Sequence, residues 1–215
     1  MWTLERAINE LGEVRAALGL NRVHLYGHSW GSGLAVAYLD KAGSEGVESV
    51  ILGGIFVSTR IWIDDANLLV SQLPEATQST LKRHEAAGTI DSKEYKDAVD
   101  VFNGRHFIRK PNTTLPASCA ESRRSEEIYN FMWGPNEFRS TGTLRDFDVT
   151  AVLTRLQMPV LVMVGRFDEA RPETAAKFAG MIPKGRLEVI EECAHMAVLE
   201  DPAACAKAIG EFLAK

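Results

Sequence analysis

The chain has 215 residues, 46% of them hydrophobic and 25% charged, which is typical of a globular protein with one large domain or a domain with an insertion. Its formal net charge of -5, with no cluster of basic residues, argues against a nucleic-acid-binding protein. The sequence shows neither an apolar leader nor a window of 18 apolar residues, so we expect a cytoplasmic protein with no membrane partner.

The first segment of the chain has the pattern of a parallel α/β unit. Apolar residues recur every three or four positions over 4–18, which predicts an amphipathic helix. A short strand over 22–26 is followed by a helix that starts after Gly31 and by a buried strand over 47–52. This order of strand, helix and strand predicts a βαβ unit with a parallel sheet.

The pattern changes at about residue 58, where helical periods and turns replace strands. This region is predicted to be a helical cap with an internal loop over 111–118. Its helices are predicted over 61–73, 76–87, 92–102 and 125–133.

The α/β pattern returns near residue 146 and continues to the last residue. Strands are predicted over 159–165 and 186–190, and helices over 172–179 and 202–213. The predicted organisation is therefore an α/β core in two parts, interrupted by the cap. The three segments are 1–57, 58–145 and 146–215.

The three cysteines lie far apart in the sequence and form no Cys-x-x-Cys pair. Their odd number and spacing argue against a disulfide framework and against a zinc site. We therefore predict free thiols and a reducing compartment. The three residues are Cys119, Cys193 and Cys205.

A G-x-S-x-G pattern, Gly27 to Gly31, lies between a predicted strand and a predicted helix. A nucleophilic serine on such a sharp turn has a strained backbone and needs small neighbours. The turn also directs the first amide of the following helix at any oxyanion that forms. We predict that Ser29 is a nucleophile and that the Trp30 amide binds the oxyanion; the alternative is a plain turn serine.

A base and an acid follow in the chain order that this arrangement requires, serine then acid then histidine. Asp168 and His195 each come just after a predicted strand, at the edge where open α/β sheets bind ligands. Singly, they could be a loop carboxylate and a surface histidine. Together with Ser29 they predict a catalytic triad. The other histidines are predicted to be structural or exposed: His24, His28, His84 and His106.

Four stretches of the sequence resemble the α/β-hydrolase superfamily, and more closely the proline iminopeptidase family. They are "GHSWGS" at 27–32, "MWGPNEFRSTGTLRDFDVT" at 132–150, "PVLVMVGRFDEARPE" at 159–173 and "CAHMAVLEDP" at 193–202. The resemblance implies a partial α/β-hydrolase fold and a serine aminopeptidase that releases N-terminal residues, preferably proline, through an acyl-enzyme.

The resemblance also implies an amine-binding site made of Glu137 and Glu169, whose alternative is ordinary solvated acids. Carboxylates in a partly buried pocket can hold an ammonium group by charge-assisted hydrogen bonds. Four cap aromatics are candidates for a proline-sized pocket, or for the cap core instead. They are Trp62, Phe131, Trp133 and Phe138.

Two other functions fit the same residues. One is an esterase or small-molecule hydrolase with the same triad, acting on a small ester or amide rather than a peptide. The other is an inactive fragment or binding protein on a truncated hydrolase scaffold. No organic cofactor or metal is expected, because a serine triad needs none.

The chain departs from the family before the nucleophile. The family has several strands there and a His-Gly-Gly-Pro-Gly loop with a second oxyanion donor, whereas 28 residues precede Ser29 here. We expect an open sheet edge, which a homodimer could cover, and a kcat lower by ~10²–10³ for the lost donor. The chain could be a fragment of a longer product, a truncated dimeric homologue or an inactive remnant, and the first is favoured.

Overall fold

A computed structural model describes residues 2–110 and 125–214, so the predicted loop at 111–118 and Cys119 lie outside the described residues. Four parallel strands form one sheet in which each strand lies beside its neighbour in chain order. This confirms the predicted α/β class and the four predicted strands. The strands are β1 (Val23–His28), β2 (Val47–Gly53), β3 (Val160–Gly165) and β4 (Gly185–Ile190).

Helices cover both faces of the sheet and form the cap. None of the helices in the described residues is long and apolar enough to cross a membrane. The helices of the first core segment are α1 (Leu4–Ala17) and α2 (Trp30–Ala42). The cap helices are α3 (Thr59–Val70), α4 (Glu75–Ala87), α5 (Lys93–His106) and α6 (Glu126–Met132). The helices of the second core segment are α7 (Pro172–Met181), α8 (Ala197–Glu200) and α9 (Pro202–Leu213).

Two boundaries next to Ser29 differ from the prediction. Strand β1 runs two residues further than predicted, to His28, and α2 begins at Trp30 rather than after Gly31. The strand and the helix therefore meet at Ser29 itself. The reason is that Gly27 lacks a side chain, which lets the last part of the strand pass close to the backbone of Gly31 in the first turn of the helix.

Alternating residues of the central strands face opposite sides of the sheet, as the two-residue period of a strand requires. Val50 and Leu52 of β2 belong to the larger apolar core, which also contains residues of α2 and α7. Ile51 of β2 and Leu161 of β3 belong to a second core, which contains residues of α9. Both faces of the sheet are thus covered, which explains why these strands read as continuous apolar runs.

The cap has an apolar cluster of its own, contributed mainly by α3, α4 and α5. Its buried members are Ala66, Leu69, Leu73, Leu81, Tyr95, Ala98, Phe102 and Phe138. A separate cluster of this kind is consistent with an inserted cap, and the boundaries at 58 and 145 stay a prediction.

Strand β1 is an edge of the sheet in the described residues, since it pairs with β2 alone. Large apolar side chains near this edge are exposed, among them Tyr26 on β1 and Leu18 and Leu20 just before it. The homodimer that could cover this edge stays a prediction.

Candidate active site

Ser29 occupies a strained turn between β1 and α2. Its φ of 54° and ψ of -124° lie in a region that residues other than glycine rarely adopt. The turn is held by hydrogen bonds on both sides: the Ser29 amide donates to the Gly53 carbonyl (2.9 Å), and the Ser32 hydroxyl donates to the Ser29 carbonyl (2.6 Å). The amide of Trp30, the first residue of α2, donates to no acceptor among the described residues.

The two glycines of the motif differ in whether a side chain would fit at their position. A Cβ on Gly27 would lie 2.2 Å from the Gly31 carbonyl oxygen, whereas a Cβ on Gly31 would meet no described atom within 4 Å outside its own helix backbone. Crowding therefore explains Gly27 directly. Gly31 takes part through its backbone carbonyl rather than through its missing side chain.

We expect Gly27→Ala to destabilise the fold by about 3 kcal/mol or more, because the clash is with backbone that cannot move aside. Gly31→Ala is the matched control and is expected to change the free energy of unfolding by less than about 1 kcal/mol, with a helix-propensity gain. Urea unfolding of both variants measures this. Equal effects of the two substitutions would contradict the assignment of the close contact.

Asp168 and His195 form a buried, hydrogen-bonded pair between the loops after β3 and β4. His195 Nδ1 lies 2.8 Å from Asp168 Oδ1. The carboxylate is itself fixed, since Oδ1 accepts from the Ala170 amide (2.8 Å) and Oδ2 from the Gly165 amide (3.3 Å). His195 Nδ1 is therefore held by the carboxylate, the geometry of a base oriented by an acid.

Two glycines at the end of β2 bridge Ser29 and His195. The Ser29 amide bonds to the Gly53 carbonyl, and a Cβ on Gly54 would lie 2.5 Å from His195 Cε1. Within the described part of the chain no hydrogen bond joins Ser29 to His195, whose Nε2 lies 3.9 Å from Glu169 Oε1. Such bonds are often long in unliganded enzymes and shorten when substrate binds.

The surroundings of His195 shift the pKa of two imidazoles, those of His195 and His28. Burial lowers the pKa of His195, but the charge and hydrogen bond of Asp168, with a further contribution from Glu137, raise it above its ordinary value. The ring of His28 lies 4.6 Å from that of His195, centre to centre, and burial together with His195 lowers the pKa of His28 to about 4. His28 is therefore neutral, and its Nε2 donates to the His195 carbonyl (2.9 Å).

A cavity of about 350 Å³ with mainly apolar walls opens beside Ser29. It contains two of the four predicted aromatics, Trp62 and Trp133. Phe131 is 45% exposed and packs on Trp2, while Phe138 belongs to the cap cluster, so the lining role expected of these two is not seen among the described residues. The described lining residues are Ser29, Trp30, Phe56, Trp62, Ser125, Ile128, Tyr129, Met132, Trp133, Glu137 and Leu144.

Several residues of these walls were not predicted from the sequence. Tyr129 and Met132 lie one turn apart on α6, a spacing that could have indicated one helix face directed at the site. Phe56 follows β2 in a buried run, and no sequence signal separates it from ordinary core residues.

The loop that carries Glu137 is held by the two cavity tryptophans. Trp62 Nε1 donates to the Glu137 carbonyl (2.9 Å), and Trp133 Nε1 donates to the Asn136 carbonyl (2.8 Å). Each indole therefore forms part of the apolar wall and also donates a hydrogen bond that fixes the loop. As a result, Glu137 lines the cavity that also contains Ser29.

Glu169 is a fully buried carboxyl group whose two oxygens accept no hydrogen bond from any described residue. Burial, and then the nearby acids Glu137 and Asp168, raise its pKa well above the ordinary 4.5. A buried acceptor without a donor is costly and is uncommon outside functional sites. The arrangement suits a cation supplied from outside the protein.

This environment predicts a pH-dependent difference in stability between the wild type and Glu169→Gln. Because the folded-state pKa of Glu169 is raised, its contribution is fully present below about pH 4.5 and is lost as pH rises through the folded pKa. Above pH 4.5 the wild type should lose about 1.4 kcal/mol per pH unit relative to Glu169→Gln until Glu169 ionises in the folded state.

Urea unfolding of both proteins between pH 4 and 8 measures this difference. The groups near Glu169, namely Asp168, His195 and Glu137, are present in both proteins, so their titration largely cancels in the comparison. A difference that does not change with pH would contradict the raised pKa.

Comparison with known proteins identifies the family of this chain. Residues 1–202 match the sequence profile of the α/β-hydrolase fold. The chain belongs to the α/β-hydrolase fold family. This α/β-hydrolase is 40% identical over 215 residues to a proline iminopeptidase of Heyndrickxia coagulans, covering 99% of the chain and 74% of that protein.

Solved structures give the same result for this α/β-hydrolase. The proline iminopeptidase of Mycobacterium smegmatis is 36% identical with a TM-score of 0.88, covering 99% of the chain and 71% of that structure. VinJ is 33% identical with a TM-score of 0.89, covering 99% of the chain and 73% of that structure. The chain is thus a proline iminopeptidase-like hydrolase, and its relatives are longer than it is.

Proposed function

We propose that this hydrolase is a serine aminopeptidase that releases an N-terminal residue, preferably proline, from peptides or small amides. The observation that carries the proposal is the buried carboxyl of Glu169, which lacks a hydrogen-bond donor and lies 3.9 Å from His195 Nε2. An acid in that place can recognise a free amine next to the bond to be cut, which an esterase has no need to do.

In the proposed mechanism the hydroxyl of Ser29 attacks the substrate carbonyl while His195 Nε2 accepts its proton. Asp168 keeps Nδ1 of His195 protonated and stabilises the imidazolium that forms. The amide of Trp30 donates to the developing oxyanion, with support from the positive end of α2. His195 then returns the proton to the leaving amine, and water hydrolyses the acyl-enzyme by the same steps.

Substrate recognition is proposed to combine charge with apolar contact. Glu137 and Glu169 hold the ammonium group of the substrate, which replaces the hydrogen bonds that Glu169 lacks in the free protein. The apolar cavity next to Ser29 takes the side chain of the N-terminal residue, with Trp62 and Trp133 as flat walls for a proline ring. The relatives that are proline iminopeptidases support this preference.

An esterase or small-molecule hydrolase is the second candidate, favoured by the mainly apolar cavity. The two candidates differ in their need for a substrate amine. We therefore compare hydrolysis of a proline arylamide, its N-acetylated form and a simple acyl ester, using the wild type and Glu137→Gln. Glu173→Gln, an exposed acid at the start of α7, is the matched control.

The proposal predicts turnover of the free-amine substrate and a loss of about 10- to 100-fold in kcat/KM for it in Glu137→Gln, the value of one hydrogen bond to a charged group. Hydrolysis of the ester should be unchanged in that variant. Preference for the ester in the wild type would favour the esterase. Failure of a fluorophosphonate to label Ser29 in folded protein would favour the non-catalytic binding protein.

A further inference from the structure

The end of cap helix α5 lies against the two loops that carry Asp168 and His195, and we call residues 106–110 the strap. The carbonyl of His106 accepts hydrogen bonds from the amides of Glu169 (3.3 Å) and His195 (3.1 Å). The carbonyl of Phe107 accepts from the Met196 amide (2.9 Å). One short backbone segment of the cap therefore binds the backbone of both loops.

Side chains of the strap strengthen its contact with the Asp168 loop. His106 Nδ1 donates to the Phe167 carbonyl (3.0 Å). The guanidinium of Arg109 lies over the Phe167 ring, 3.8 Å from its centre, in the geometry of a cation–π contact. Two side chains of the strap, those of His106 and Arg109, therefore contact Phe167, the residue just before Asp168.

Glu200, at the end of α8, ties the strap to the His195 loop. One carboxylate oxygen accepts from the amides of Arg109 and Lys110, the latter at 2.9 Å. The other oxygen accepts from the amide of Ala194 (2.5 Å), the residue directly before His195. Glu200 is buried, and neither the triad nor the proposed amine site uses it.

The side chain at position 200 must accept hydrogen bonds on two sides, from the strap and from the His195 loop. An ionised carboxylate presents two oxygens and no donor, so it can serve three amides from two segments at once. A glutamine of the same size would place an amide donor against one set of N–H groups. The bonds to the strap and to the His195 loop therefore cannot both be kept by any neutral side chain of this shape.

We propose that Glu200 is a positioning residue that locks the His195 loop to the strap and so holds the imidazole in line with Asp168 and Ser29. This inference rests on the proposed function, because it takes His195 to be the general base. Reaction rates are sensitive to placement, since a displacement of about 1 Å can cost about 10² in rate. The cap thereby contributes to catalysis from outside the cavity.

The test compares Glu200→Gln with the wild type, and Glu191→Gln is the matched control. Glu191 lies on the exposed surface of the same loop and pairs with Arg166, and it forms no hydrogen bond or ion pair with the strap in the described part of the chain. We expect kcat of Glu200→Gln to fall by up to about 10²-fold with little change in KM, because Glu200 is not among the described residues that line the cavity. Glu191→Gln should keep wild-type kcat.

A second readout does not depend on turnover. The proton shared by His195 Nδ1 and Asp168 gives a far-downfield proton NMR signal when the pair is well aligned, and we expect that signal to shift or broaden in Glu200→Gln. The rate at which a fluorophosphonate labels Ser29 should fall in parallel. Normal kcat, labelling and NMR signal in a variant with a lower melting temperature would reduce Glu200 to a structural role and overturn the proposal.

Failure of the proposed function gives a different result. If Ser29→Ala keeps full activity, the triad assignment fails whatever Glu200 does. If Ser29→Ala is inactive while Glu200→Gln behaves as the wild type in all three readouts, only the positioning role fails.

Discussion

Ser29→Ala is expected to lower kcat by about 10⁶-fold, the loss seen when the nucleophile of a serine triad is removed. The hydroxyl of neighbouring Ser32 cannot replace it, since that hydroxyl is buried and donates to the Ser29 carbonyl. KM should change little, because the apolar walls and Glu137 of the cavity remain.

His195→Ala and the double variant, which combines it with Ser29→Ala, test whether the two residues act as one unit. Residues that act as one unit are not additive, so the double variant should be about as slow as Ser29→Ala alone. Ser71→Ala, a serine at the end of α3, is the control and should keep wild-type rates. Initial rates on a proline arylamide are measured for the four variants and the wild type, and circular dichroism verifies that each is folded. Additive losses in the double variant would contradict a shared proton-transfer step.

Asp168→Asn is expected to lower kcat by about 10⁴-fold while leaving the fold and KM nearly unchanged. The asparagine can still accept from the Ala170 amide, so the loop keeps its main contact. It lacks the negative charge that stabilises the imidazolium of His195. The effect is therefore expected on the chemical step rather than on substrate binding.

The pH profile of the same variant gives an independent test. Burial lowers the pKa of His195 and Asp168 raises it, so removal of the charge leaves the lowering effect in place. The acidic limb of the residual kcat/KM should then move to lower pH. Asp146→Asn, at an exposed position, is the control. An acidic limb at higher pH in Asp168→Asn would contradict the role given to Asp168.

Much of the fold could be predicted from the sequence because the relevant signals are local. The run 159–165 is apolar throughout and the structure places β3 there, buried on both faces. Helix α9 covers the predicted 202–213, with Pro202 at its first turn and Asp201 accepting from the Ala204 amide. Periods, caps and turns act over a few residues, so one sequence can reveal them.

Part of the candidate site could also be predicted, because strand order in a parallel sheet brings the carboxyl ends of strands to one edge. The sequence pattern therefore predicts that Ser29, Asp168 and His195 lie near one another, and the structure places Asp168 and His195 in a direct hydrogen bond. The same reasoning could not give the burial of Glu169, whose sequence neighbours equally suit a solvated acid.

Only the tertiary structure decided which distant residues support the site. Glu200 lies 90 residues from Lys110 in the chain, and His106 lies nearly as far from His195, yet hydrogen bonds join each pair of segments. The physical reason is that the sequence pattern fixes the period and ends of each element. The packing of the cap on the core determines which backbone groups of separate elements come into contact, and no local sequence pattern predicts that packing.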